Sequence, residues 1–222
     1  MRLKQMSVLL AVLAVALPLA AQMGMQVPTL SGIFRPVVGT GATYATTQDG
    51  KTTNMDFAVL GKEDMGGKTG FWIEVSATNP KGGGDVIIKV LETVDGNVIT
   101  YGKSVIQMPG MGPMEMDENM MNMGGRRPAQ NTAADFRDKA ELVGTESVTV
   151  PAGTYSCEHY RMKDGSGDAW ISDKVSPWSL VKMQDQRRVT VLAKTTTDAK
   201  DRITGTPTKF DPMQMMRNRQ GQ

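Results

Sequence analysis

The stretch GFWIEVSATNPKGGGDVIIKVLETVDGNVITYGKSVIQ, residues 70–107, decides the fold. In Gly70–Thr78, Phe71, Ile73 and Val75 alternate with Trp72, Glu74 and Ser76, the period of two expected of a half-buried strand. After the loop Pro80–Gly84, Asp85–Glu92 places Val86, Ile88 and Val90 opposite Ile87, Lys89 and Leu91. Asp95-Gly96 is a hairpin signal and leads into a third strand, Asn97–Gln107. Connections this short require antiparallel neighbours, because parallel pairing needs a crossover of about a dozen residues.

The same pattern extends in both directions. Upstream, Gly41–Thr47 ends at Asp49-Gly50 and is answered by Asn54–Gly61, a second hairpin. Downstream, Glu146–Val150, Thr154–Lys163, Asp168–Ser172, Ser179–Met183 and Val189–Thr196 read as strands, parted by Pro151-Ala152-Gly153, Asp164–Gly167 and a corner at Pro177. About ten strands result, with at most one or two short helices, one of them around Ala133–Ala140. The expected fold class is mainly β: a curved antiparallel sheet forming a half-barrel or barrel, because a wide sheet curls or closes to shield its edges.

Four regions follow. Residues 1–21 read as a cleavable signal peptide, with cations at Arg2 and Lys4, the apolar run VLLAVLAVAL (residues 8–17) and small residues at Ala20 and Ala21. That run is too short to span a bilayer core, which takes roughly 20 residues. Residues 22–36 are an extended lead-in with two prolines, and 37–204 form a single β domain carrying a Met/Gly-rich flexible insertion at 108–127. Residues 205–222 are expected to be a disordered tail. No Cys follows the apolar run, so the expected product is an exported, periplasmic or extracellular protein, soluble after cleavage and not membrane-spanning.

Composition narrows the function. The chain holds 25 Lys+Arg against 23 Asp+Glu, and cleavage after Ala21 removes Arg2 and Lys4, leaving the signs balanced. Nucleic-acid binding asks for a basic surplus, and none remains. Cys157 is the single cysteine, so an internal disulfide is impossible and stability must come from the core.

The stretch VTVPAGTYSCEHYRMKDGSGDAWISDKVSPWSLVKM (Val148–Met183) resembles an exported bacterial module found in uncharacterised domain families whose fold is similar to the LolA/LolB lipoprotein carriers. The resemblance implies a curved antiparallel sheet wrapped around an apolar cavity, with Pro151-Ala152-Gly153 shaping a turn and Trp170 facing the interior or the rim. It covers these residues strongly and the remainder by strand pattern only. The carriers plug their half-barrel with helices, for which this chain offers little sequence. No lipid-contacting residue of the carriers maps onto a position here.

Among candidate sites, the insertion is the sharpest. Met111, Met114, Met116, Met120, Met121 and Met123 offer thioether sulfur, a soft neutral ligand that favours Cu(I). The same residues are pliable apolar contacts, and in a Gly/Pro-broken segment they also suit a plain flexible loop. Cys157 and His159 stand two apart on one strand and share a face, the minimum for a metal pair or a nucleophile and base. Same-face neighbours lie roughly 6–7 Å apart, too far for ready proton transfer, so a buried thiol beside a hydrogen-bonded His is the better reading. Asp164, Asp168 and Asp173 lack the frame of a calcium loop, and Gly82-Gly83-Gly84 precedes a strand and not a helix.

The expectation is therefore an exported, non-enzymatic binding protein without cofactor, holding a lipid or lipoprotein segment on its concave face. The alternatives are a copper-binding or copper-buffering protein acting through the Met-rich segment, and an envelope scaffold with no small ligand.

Overall fold

A computed structural model describes residues 32–78, 84–116 and 134–209; the stretch read as a signal peptide and most of the Met-rich insertion and of the expected tail lie outside them. Twelve strands form one sheet: β1 Gly41–Gln48, β2 Lys51–Asp64, β3 Thr69–Thr78, β4 Asp85–Asp95, β5 Val98–Gln107, β6 Met114–Met116, β7 Ala140–Val150, β8 Gly153–Met162, β9 Asp168–Ile171, β10 Leu180–Gln184, β11 Arg188–Thr196 and β12 Thr208–Lys209. Their order is β12-β6-β5-β4-β3-β2-β1-β11-β10-β9-β8-β7, so the sheet is mainly antiparallel, curved and not closed.

Two meanders make up this sheet, β1–β6 and β7–β11, and they join where β1 pairs with β11 from Gly41↔Thr196 to Gln48↔Arg188. The tight hairpins have their expected chemistry. Asp49 and Gly50 adopt φ of 49° and 73° between the paired Gln48 and Lys51, the left-handed pair that matches strand twist. Curvature brings the β7–β8 tip onto β11, where the Ala152 N–H donates to the Leu192 carbonyl at 3.3 Å.

One face carries the core. Tyr44, Ile73, Ile99, Leu180 and Leu192 are completely buried, joined by Val59, Val175 and Val181. Burying each large apolar side chain contributes about 1.5–3 kcal/mol. The lead-in takes part: Ile33 bridges to Asp135, and the buried Phe34 packs on Trp178 with ring centroids 4.9 Å apart.

Three expectations are corrected. The helix expected around Ala133–Ala140 is, among its described residues, a single 3-10 turn at Arg137–Lys139, and Ala140 already belongs to β7. Tertiary contacts override helix propensity there: the Asn97 side chain donates to the Asp135 carbonyl and accepts the Asp135 N–H, and Phe136 is buried edge-on against Tyr160. Met114–Met116, inside the segment expected to be a flexible insertion, pair with β5, and Thr208–Lys209, in the expected tail, pair parallel with β6. Short strands at a sheet edge need only backbone partners, which composition does not disclose.

Candidate functional site

The β3–β4 register places Phe71 opposite Glu92, Ile73 opposite Val90 and Val75 opposite Ile88, all on the core side. On β4's other flank Glu92 faces Tyr101 of β5, across a bulge between Val90 and Glu92. A carboxyl group thus sits in the inward series Val86, Ile88, Val90. Glu92 is 7% exposed, its Oε2 has no hydrogen-bond partner, and burial pushes its carboxyl up to about 8. At neutral pH it is largely the neutral acid, able to donate a hydrogen bond.

Its surroundings are aromatic. Phe34 lies edge-on to Phe71 at 6.5 Å and tilted on Trp178, and the Trp178 indole Nε1 is a second buried group without a hydrogen-bond partner. The Lys62 ammonium stands 5.3 Å from the Phe71 ring centre. Along the same face, Val75, Ile88, Val90 and Met114 stay half-buried. The arrangement combines an apolar lining with two unmatched polar atoms, one of them on an acid of raised pKa.

The opposite face of β2–β5 mixes buried Ile87, Leu91 and Val105 with Glu74, Ser76 and Lys89, and is crossed by residues 199–204. Lys89 pairs with Asp201, and the Arg202 guanidinium bonds Ser76, Asp56 and Asp85. The Arg202 N–H donates to Glu74 Oε2 at 3.1 Å, and Thr204 and Gln107 exchange hydrogen bonds. Glu74, 2% exposed, is pushed up to about 7 chiefly by burial. A cleft of about 370 Å³ opens between Leu60 and Gly61 of β2, Trp72, Lys89, and Lys200 and Asp201. Its Trp72 is engaged already, donating to Glu63 at 3.0 Å under the Lys89 ammonium.

Cys157 and His159 share a face of β8 as expected. Cys157 is fully buried, and burial pushes its thiol up to about 11, which leaves almost no thiolate near neutrality. His159 is held by carboxylates instead: Nε2 is 2.8 Å from Asp168 and Nδ1 is 3.2 Å from Glu146. Trp170 stacks on His159 at 4.5 Å, donates Nε1 to Glu146 at 2.6 Å, and lies under the Lys182 ammonium at 4.4 Å. This cross-strand ladder ties β7, β8, β9 and β10 together on one face.

Of the expected copper ligands, Met114 and Met116 share a face of β6, half-buried and buried, while Met111 precedes them in an exposed turn. Met120, Met121 and Met123 lie outside the described residues. Sequence reasoning missed Glu92, Glu74 and Arg202. For Glu92 a signal existed, since position 92 continues the inward period of 86, 88 and 90 and an acid there is anomalous. For Glu74 and Arg202 none did, because they meet across 128 residues of chain.

No family model and no curated protein sequence matches this chain. Among solved structures it is similar to a lipoprotein candidate from Parabacteroides distasonis, at 17% identity and a TM-score of 0.37 over 76% of this chain and 100% of the other. It is likewise similar to an exported-protein candidate with a YmcC-like fold from Bacteroides fragilis, at 11% identity and a TM-score of 0.38 over 75% and 100%. Likeness of this size carries no argument about the chain. Among the described residues, no helix is long and apolar enough to cross a membrane.

Proposed function

We propose that this chain is an exported, non-catalytic binding protein that holds an apolar ligand, such as an acyl chain or a lipoprotein segment, against the inward face of its curved sheet. The observation that carries the reading is Glu92: a buried acid with one oxygen unmatched, beside Phe71 and Tyr101 on a largely apolar face. Leaving such a group unpartnered costs about 1–3 kcal/mol, a cost a ligand carbonyl or hydroxyl would offset. The half-buried Val75, Ile88, Val90 and Met114 offer the apolar stripe along which a hydrocarbon chain would lie. Export rests on Arg2, Lys4, the apolar run at 8–17 and the small-residue exit at Ala20 and Ala21. The absence of catalysis is supported by the inert Cys157 thiol and by His159, whose ring nitrogens both face carboxylates.

Native mass spectrometry of protein purified from its own envelope tests the reading. A co-purified small mass is expected, reduced or lost in Glu92→Ala. A clean apo mass in the wild-type protein, with no uptake of an added acyl probe, overturns it.

A further inference from the structure

The two lateral edges of the sheet are unequal. Among the described residues one ends in β12, Thr208–Lys209, whereas the other ends in β7, eleven residues with β8 as its single sheet neighbour. Edge strands of that length are normally blunted by Lys, Pro or a covering segment. Ala140–Val150 contains no Lys, Arg or Pro; its charges are Glu141 and Glu146, its one bulge lies between Leu142 and Gly144, and Leu142 and Val143 are 58% and 50% exposed. One set of backbone N–H and C=O groups along this edge points away from β8 and, among the described residues, pairs with no other strand.

We propose that β7 is a self-association edge, through which two copies of this chain pair antiparallel about a two-fold axis at Ser147. A bulge between Leu142 and Gly144 breaks the regular pairing in the N-terminal half of the strand, while Gly144–Val150 pairs with β8 without interruption, from His159 to Gly153. Centred on Ser147, this regular run is complementary to itself. Ser147 meets its own copy, Glu146 meets Val148, and Thr145 meets Thr149, so no charge lies directly opposite a like charge; the two Glu146 stand diagonally across the axis, each already held by Trp170 and His159 of its own copy.

Charge also selects a second copy over a basic partner. Glu146, the acid within this run, already accepts from Trp170 Nε1 and lies beside His159 Nδ1, so the edge does not ask for an external cation. The pairing is isologous, because the two-fold axis sets the same strand of each copy against its twin and uses up both β7 edges.

Sedimentation equilibrium of the purified chain, with hydrogen exchange at several concentrations, tests the inference independently of any ligand. A concentration-dependent dimer is expected, with amides of residues 144–149 gaining protection as it forms. Ser147 is exposed, so Ser147→Lys and Ser147→Glu are expected to keep the wild-type circular dichroism and melting curve. Each places like charges face to face and raises the dimer dissociation constant at least about tenfold, and an equimolar mixture of the two recovers a heterodimer. A wild-type protein that stays monomeric at every concentration, or a dimer that both variants leave intact, overturns the inference.

Discussion

Glu92 stands directly opposite Phe71 in the register of β3 and β4, so a carboxyl group and a benzyl ring share the inward face of the sheet. Apolar surroundings disfavour the charged form, and nothing described nearby compensates Oε2. The site is therefore tuned towards a neutral hydrogen-bond donor within an apolar lining.

Stability should fall between the ordinary Glu value of 4.5 and the folded value of about 8. The unfolded chain releases its proton first, so the native state is favoured in full below 4.5 and loses that advantage as pH rises through 8. Glu92→Gln is expected to match wild type at pH 4 and to exceed it at pH 8 by on the order of 3 kcal/mol. Glu74, raised to about 7, supplies the slope that remains in the variant. Urea titrations across this range check both; a variant whose stability tracks wild type at every pH contradicts the assignment.

Arg202→Ala should release the segment that crosses the outer face. Its guanidinium bonds Ser76, Asp56 and Asp85, and these contacts are partly exposed, so the expected cost is about 1–2 kcal/mol. Hydrogen exchange of residues 199–208 should accelerate while β8 and β11 keep their protection. Uniform loss of protection would mean that the segment is not a separable layer.

Tyr44→Phe removes a buried bridge between strands that are not neighbours. The Tyr44 hydroxyl donates to the Leu180 carbonyl at 3.1 Å, spanning from β1 to β10 past β11. The expected loss is about 1–2 kcal/mol in chemical denaturation, with the strand content by circular dichroism unchanged.

Cys157 should resist alkylation in the native protein and react fully on unfolding, since its thiol is both buried and raised to about 11. Iodoacetamide labelling followed by intact mass, with and without guanidinium, measures this directly. Rapid labelling of the folded chain would show that β8 opens far more readily than its packing implies.

Gly167→Ala should destabilise by about 2 kcal/mol or more. Gly167 holds φ of 154°, and a Cβ there would lie 2.3 Å from the Gln184 carbonyl oxygen, a backbone atom that cannot swing aside. A thermal melt of the variant reads the effect.

Local pattern carried most of the fold. Period-two alternation in Gly70–Thr78 and Asp85–Glu92 and turn chemistry at Asp49-Gly50 and Asp95-Gly96 are short-range properties, and the strands and hairpins they indicate are present. The sequence alone thus determined a mainly β chain of antiparallel meanders and a free thiol without a disulfide partner. Tertiary structure decided what depends on residues far apart. It joined β1 to β11, buried Glu74 and Ser76 beneath Arg202, and held the helix-like run before Ala140 to a single 3-10 turn that leads into an edge strand. Alternation assigns a side chain to a face, but only the assembled sheet determines what covers that face. For the same reason Glu92 reads in sequence as the end of an apolar run and in the folded chain as a buried acid whose Oε2 has no hydrogen-bond partner.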